Sequence, residues 1–123
     1  TAGGIGGVIG NTTNGGGTWA SGYSGTSEDL YNLSLGDTKT GIAVGNSGAV
    51  MKTMDGGLTW SPLSVDLNVQ FRNVQMLGPN VAYVIGARYY GVDDTKGYIY
   101  KTTDGGLTWV SLTIASTPGL YGI

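Results

Sequence analysis

Few residues of this chain can do chemistry, and they are unevenly placed. Arg88, Tyr89, Tyr90, Asp93 and Asp94 crowd into seven consecutive positions. Tyrosine and arginine are common anchors of binding surfaces, and paired aromatic rings also stack on sugars, so carbohydrate is a candidate ligand beside protein. The same cluster reads equally as an extended hairpin whose tyrosines pack on their own sheet. Asp93 and Asp94 are adjacent and lack the alternating acidic spacing of a calcium loop, so no metal site is expected. Arg72 is the second candidate: its guanidinium suits a partner's carboxylate or a neighbouring aspartate of this chain.

The chain contains no histidine and no cysteine. Ser-His-Asp and Cys-His mechanisms, disulfides and thiolate metal sites are therefore excluded from these residues, and no cofactor is expected. Charged residues make up 11% of the chain, with a formal net charge of −2. The cations Lys39, Lys52, Arg72, Arg88, Lys96 and Lys101 are scattered, which argues against nucleic acid as a partner. No apolar run approaches the roughly 18 residues of a membrane-spanning helix, so direct membrane insertion is not expected.

A repeated octamer organises everything around these candidates. Thr102, Asp104, Gly106, Thr108 and Trp109 recur in the same spacing as Thr53, Asp55, Gly57, Thr59 and Trp60. A weaker copy holds Thr12, Asn14, Gly16, Thr18 and Trp19. The tryptophans are separated by 41 and 49 residues. Segments preceding each octamer also repeat: 30–35 aligns with the segment starting at Phe71 and with 120–123, and 41–45 with 81–86. Rich in Val, Ile, Thr and Tyr, with 24 glycines, the chain has the composition of an all-β protein of short strands. Strands are expected at 30–35, 41–45, 49–53 and 59–63, and again at 71–77, 81–87, 97–102 and 108–114. Asp-Gly turns and other Gly, Asn and Pro clusters punctuate them.

Four antiparallel strands repeating at roughly 40–45 residues have the size of a β-propeller blade. The expected organisation is the last hairpin of a partial blade in 1–22, a blade in 23–66, a blade in 67–115 with an insertion at 88–96, and the start of another in 116–123. Gly45 to Asp55 spans ten positions and Gly86 to Asp104 eighteen, which locates the eight extra residues between second and third strands. Residues 1–10 lack the basic start of a signal peptide. They read as a processed N-terminus or a start inside a longer protein, and either as a strand lent to a neighbouring subunit or as the third strand of a broken blade, Ile9 aligning with Val50 and Ile99. Closing a propeller takes about four to eight blades, so the open edges are expected to be covered by more chain or by self-association.

The Ser/Thr-x-Asp-x-Gly-x-Thr-Trp pattern resembles the Asp box, or BNR repeat, of sialidase propellers. With Lys52 to Trp60 and Lys101 to Trp109, the chain resembles more closely the photosystem II stability/assembly factor-like family. The resemblance implies a non-catalytic propeller that holds a client polypeptide in an extracellular, periplasmic or thylakoid-lumen-like setting. Physically, Asp55 and Asp104 are expected to pin the turn between third and fourth strands through backbone N–H groups. Trp60 and Trp109 are expected to fill the space between blades, and Asn14, without the charge, to make a weaker clamp.

Topology then puts the Asp boxes at one end of the blades and the 88–96 insertion at the other. Two further functions are compatible with the sequence: a structural subunit of an extracellular fibre or adhesin with blades completed between chains, and a fragment of a sialidase-like glycosidase. The latter needs several arginines, whereas Arg72 and Arg88 are the two present. Asn11 and Asn32 fit the N-glycosylation pattern.

Overall fold

The computed structural model describes residues 2–3, 5–11, 16–18, 20–23, 25–66, 69–88 and 97–112. Eleven strands in three antiparallel sheets account for most of them. The first sheet contains β1 (Ala2–Gly3), β2 (Val8–Asn11) and β3 (Ala20–Tyr23). It thus has one strand more than the single hairpin expected from the repeat, because Ala2 and Gly3 pair with Gly10 and Ile9. The second is a four-stranded meander of β4 (Leu30–Leu35), β5 (Gly41–Gly45), β6 (Val50–Thr53) and β7 (Ser61–Pro62). The third repeats it with β8 (Val69–Met76), β9 (Ala82–Arg88), β10 (Tyr98–Thr102) and β11 (Val110–Ser111).

The first strands of the two full sheets, β4 and β8, lie side by side, and the later strands of the two sheets stand farther apart. The sheets therefore fan out from their first strands, as propeller blades do. β5 shows how they stack. All five of its residues are buried, but alternate side chains serve different neighbours because strand side chains point to opposite faces. Ile42 and Val44 join Phe71, Val74, Val84 and Tyr98 of the third sheet, with Trp109 packed against them. Ala43 joins Ile9 of the first sheet, with Trp60 packed against it. Phe71 is fully buried and meets Tyr100 edge-on, centroids 6.1 Å apart. Each such burial contributes about 2 kcal/mol.

Both first strands carry a bulge, between Leu30 and Asn32 and between Phe71 and Asn73. In each, the asparagine side-chain oxygen accepts the next residue's N–H: Leu33 at 2.8 Å and Val74 at 2.8 Å. The bulge brings backbone so close to the end of the second strand that only glycine fits. A Cβ on Gly45 would lie 1.9 Å from the Asp29 carbonyl oxygen, and one on Gly86 2.1 Å from that of Gln70. These glycines set the register between blades: Gly45 corresponds to Gly86, and hence Ile42 to Tyr83.

Two ends of the fan are thereby defined. At one, the Asp-box turns sit on the turns between first and second strands: Gly56 N–H donates to Lys39 O (2.9 Å), and Gly105 N–H to Asn80 O (3.0 Å). At the other lie the 46–48 turn, anchored by Asn46 N–H to Asp29 O at 3.0 Å, and the end of β9, where Arg88 pairs with Val69.

Candidate functional site

The two described octamers make the same clamp. Thr53 is buried; its hydroxyl donates to Asp55 Oδ1 at 2.8 Å and accepts the Gly57 N–H at 2.8 Å. Asp55 Oδ1 also accepts the Thr59 N–H at 2.8 Å, and Oδ2 the Thr59 hydroxyl. The Trp60 indole N–H returns to the Gly57 carbonyl at 3.1 Å. Thr102, Asp104, Gly106, Thr108 and Trp109 repeat every contact: Thr102 to Asp104 at 2.8 Å, Gly106 N–H to Thr102 at 2.9 Å, Thr108 N–H to Asp104 at 2.9 Å and Trp109 to the Gly106 carbonyl at 3.0 Å. The Thr108 hydroxyl again binds Asp104 Oδ2. Each carboxylate is thus solvated by its own turn. Donation from the Thr59 hydroxyl and N–H lowers the Asp55 pKa, and the same donors from Thr108, then Thr102, lower that of Asp104 to about 2. A carboxylate so committed is a poor proton donor at neutral pH. Of the third copy, Gly16 is described: it is exposed, with φ of 95°, against 93° at Gly57 and 96° at Gly106. Thr12, Asn14 and Trp19 lie outside the described residues.

Consecutive blades are stapled through these clamps. Lys52 Nζ donates to the Gly105 carbonyl at 2.6 Å. A Cβ on Gly106 would meet Leu63 Cδ1 at 2.6 Å. A cleft of about 390 Å³ opens between the two boxes, lined by Lys52, Met54, Leu63 and Leu107 among others.

A polar shelf lies at the opposite end, across the first strands of the two full blades. Arg72, on β8, stacks its guanidinium over the Tyr31 ring, 4.7 Å from the centroid. Its Nη2 donates to Gln70 Oε1 at 2.6 Å. Gln70 in turn donates to Asn46 Oδ1 (3.2 Å) and Tyr31 OH (3.3 Å), and Asn46 donates to Glu28 Oε2 at 3.2 Å. Alongside, Asn32 donates to Asn73 Oδ1 at 2.8 Å. The shelf combines a stacked cation, a phenol, amides and a carboxylate on rigid strands. Groups of these kinds can hydrogen-bond an extended polar chain and pair with a carboxylate.

Of the sequence candidates, Arg72 falls on this shelf. Arg88 ends β9 at the same end of the fan, and Tyr89, Tyr90, Asp93 and Asp94 lie outside the described residues. Asn11 ends β2, opposite Ala20. Asn32 is half-buried, its amide committed to Asn73 and to the Leu33 N–H. Among the described residues, no group of three acidic, histidine or cysteine side chains could hold a metal, and no helix is long and apolar enough to cross a membrane.

The sequence reading missed Tyr31, Gln70, Asn46 and Glu28. A usable signal existed for the first: aligning 30–35 on Phe71 onwards puts Tyr31 at the repeat position of Arg72. Divergence at one repeat position, where the flanking residues keep their type, marks a place that the scaffold leaves free to vary.

Fanned four-stranded sheets with an Asp-box clamp between third and fourth strands define the class: consecutive blades of an Asp-box β-propeller. The chain belongs to the family of the photosynthesis system II assembly factor YCF48, whose model matches residues 17–117. Two solved structures are similar. One, YCF48 bound to D1 peptide, is 26% identical with a TM-score of 0.61, the match covering 74% of this chain and 28% of that one. The other, YCF48 from Cyanidioschyzon merolae, is 25% identical with a TM-score of 0.71, covering 88% and 34%. The chain thus spans about a third of the length of these relatives. No curated protein sequence matches it.

Proposed function

We propose that this chain is a non-catalytic, protein-binding part of an Asp-box propeller, and that it holds an extended polypeptide on the shelf at the end away from the Asp boxes. The observation that carries this reading is the Tyr31–Arg72 stack with its amide network, set on two rigid first strands. Rigid strands hold a cation and hydrogen-bonding groups in place before the partner arrives, which lowers the cost of binding. A relative in the same family is a YCF48 bound to D1 peptide, which supports a polypeptide as the partner here. Arg88, Tyr89, Tyr90, Asp93 and Asp94 belong to the same proposal, since β9 ends in Arg88 beside the shelf. A setting outside the cytoplasm, thylakoid-lumen-like, periplasmic or extracellular, fits family members of this kind. Carbohydrate remains a weaker alternative ligand for the tyrosines.

Calorimetric titration with a D1 peptide, carboxylate free or amidated, tests the reading. Arg72→Gln is expected to weaken binding of the free-carboxylate form at least tenfold, leaving thermal unfolding nearly unchanged. Equal affinity of wild type and Arg72→Gln for both forms overturns it.

A further inference from the structure

The cleft between the two Asp boxes has both of its walls inside this chain, so it does not depend on the outer faces of the first and third sheets. The second sheet contributes Met54, Asp55 and Leu63 to it, and the third contributes Leu107. Lys52 ties the two walls together, its ammonium committed to the Gly105 carbonyl at 2.6 Å.

Two of these side chains are apolar and exposed without serving the clamps. Met54 is 71% exposed and Leu107 84%. The clamp bonds run instead through the threonines, the aspartates and the indoles. Met54 stands where the next box has Thr103, so the turn accepts a polar residue at that position. The exposure of Leu107 does not come from lack of a following blade. Its equivalent Leu58 has the third sheet beyond it and is still 77% exposed. Apolar side chains left bare around a cavity of about 390 Å³ mark a place where a partner's apolar group is buried.

Charge narrows the partner. Asp55 is exposed and lines the cleft. The Thr59 hydroxyl and N–H hold its pKa below the ordinary value, so it is an anion at neutral pH. Asp37 and Asp104 lie at the same end of the fan and are likewise kept ionised by their own turns. The described cations at this end are Lys39 and Lys52, and Lys52 is already bonded to Gly105. Such an end disfavours an anionic lipid surface and favours a basic polypeptide.

We infer that the cleft is a second polypeptide site. An aliphatic side chain of the partner enters between Met54, Leu63 and Leu107, and an adjacent lysine or arginine pairs with Asp55. The site is opposite in charge and in place to the shelf around Arg72, so one chain holds two different segments at its two ends. It does not rest on the shelf, and failure of either leaves the other standing.

Nuclear magnetic resonance titration of the isotope-labelled protein with short peptides tests this. The acetylated, amidated peptide Gly-Ser-Leu-Lys-Ser-Gly-Ser is expected to shift the amide signals of Leu58, Thr59 and Leu107. Replacing its leucine by serine should weaken binding about tenfold, as loss of a buried aliphatic side chain does. Replacing its lysine by glutamate should weaken it about threefold, the scale of an exposed ion pair. The charge is tested from the peptide's side because Asp55 also carries the clamp. In the protein, Met54→Ser combined with Leu107→Ser is expected to weaken binding about tenfold, with melting confirming that the variant folds. Leu35→Ser, at the same end but outside the cleft, and Arg72→Gln, on the shelf, should leave affinity for this peptide unchanged. Equal affinity for the lysine and glutamate peptides overturns the inference, as does binding that survives the double substitution or the absence of any shift. Association with phosphatidylglycerol vesicles that the double substitution abolishes overturns it in favour of a membrane surface.

Discussion

The clamp at 53–60 and the clamp at 102–109 agree contact for contact, whereas the first strands of the same two blades disagree at the position of Tyr31 and Arg72. Both boxes bind their aspartate, threonines and indole identically, with distances differing by no more than 0.1 Å. On the first strands, Tyr31 occupies the place that Arg72 takes one blade later, and the two stack on each other. Identity between repeats marks what each blade needs to hold its shape. Divergence at an equivalent position marks what the scaffold leaves open to recognition.

The comparison is broken most strongly at Gly106. Its positive φ strains any side chain and a Cβ would displace the Leu63 methyl 2.6 Å away, so Gly106→Val is expected to cost about 3 kcal/mol in chemical denaturation. Gly16→Val meets the same backbone strain at an exposed position and is expected to cost less. Equal losses would mean that Leu63 contributes nothing at the blade contact. Next in size is Thr102→Val, which strips a buried acceptor from the Gly106 N–H; a loss of about 1–3 kcal/mol is expected, with no change in peptide affinity.

Acid acts on the clamps and on the turn at Asp37, whose carboxylate accepts the Lys39 and Thr40 N–H groups, which lowers its pKa. The folded-state pKa of Asp104 is about 2, below the ordinary 3.8. Its contribution to stability is therefore complete above pH ~4 and disappears as pH falls towards 2. Asp55 shifts in the same direction. Melting temperature is expected to drop through that window, and Asp104→Asn to flatten the drop; an unaltered profile contradicts the assignment. The smallest effect on stability is expected on the shelf. Tyr31→Leu removes the stack under Arg72 and should cost about 0.5–1 kcal/mol, while weakening peptide binding by more than its effect on melting implies.

Most of the second sheet was legible beforehand. The expected strands 30–35 and 41–45 coincide with β4 and β5, because alternation and turn residues are local signals. The fourth strands begin later than expected, at Ser61 and Val110, since the preceding Thr N–H groups are already taken by the Asp carboxylates; the expected positions 113–114 lie outside the described residues. The bulges at Asn32 and Asn73 escaped notice because they depend on which backbone approaches Gly45 and Gly86, and that is a property of paired strands.

What the sequence by itself determined is the repeat: the clamp residues, the blade register, the all-β class and the absence of histidine and cysteine chemistry. These follow from neighbours along the chain, where a carboxylate reaches an N–H four residues on. Only the tertiary structure decided that Tyr31 lies under Arg72, 41 residues away, or that Lys52 reaches the clamp of the next blade. Such contacts form when separate sheets bury their faces against one another, and spacing along the chain carries no record of which side chains then meet.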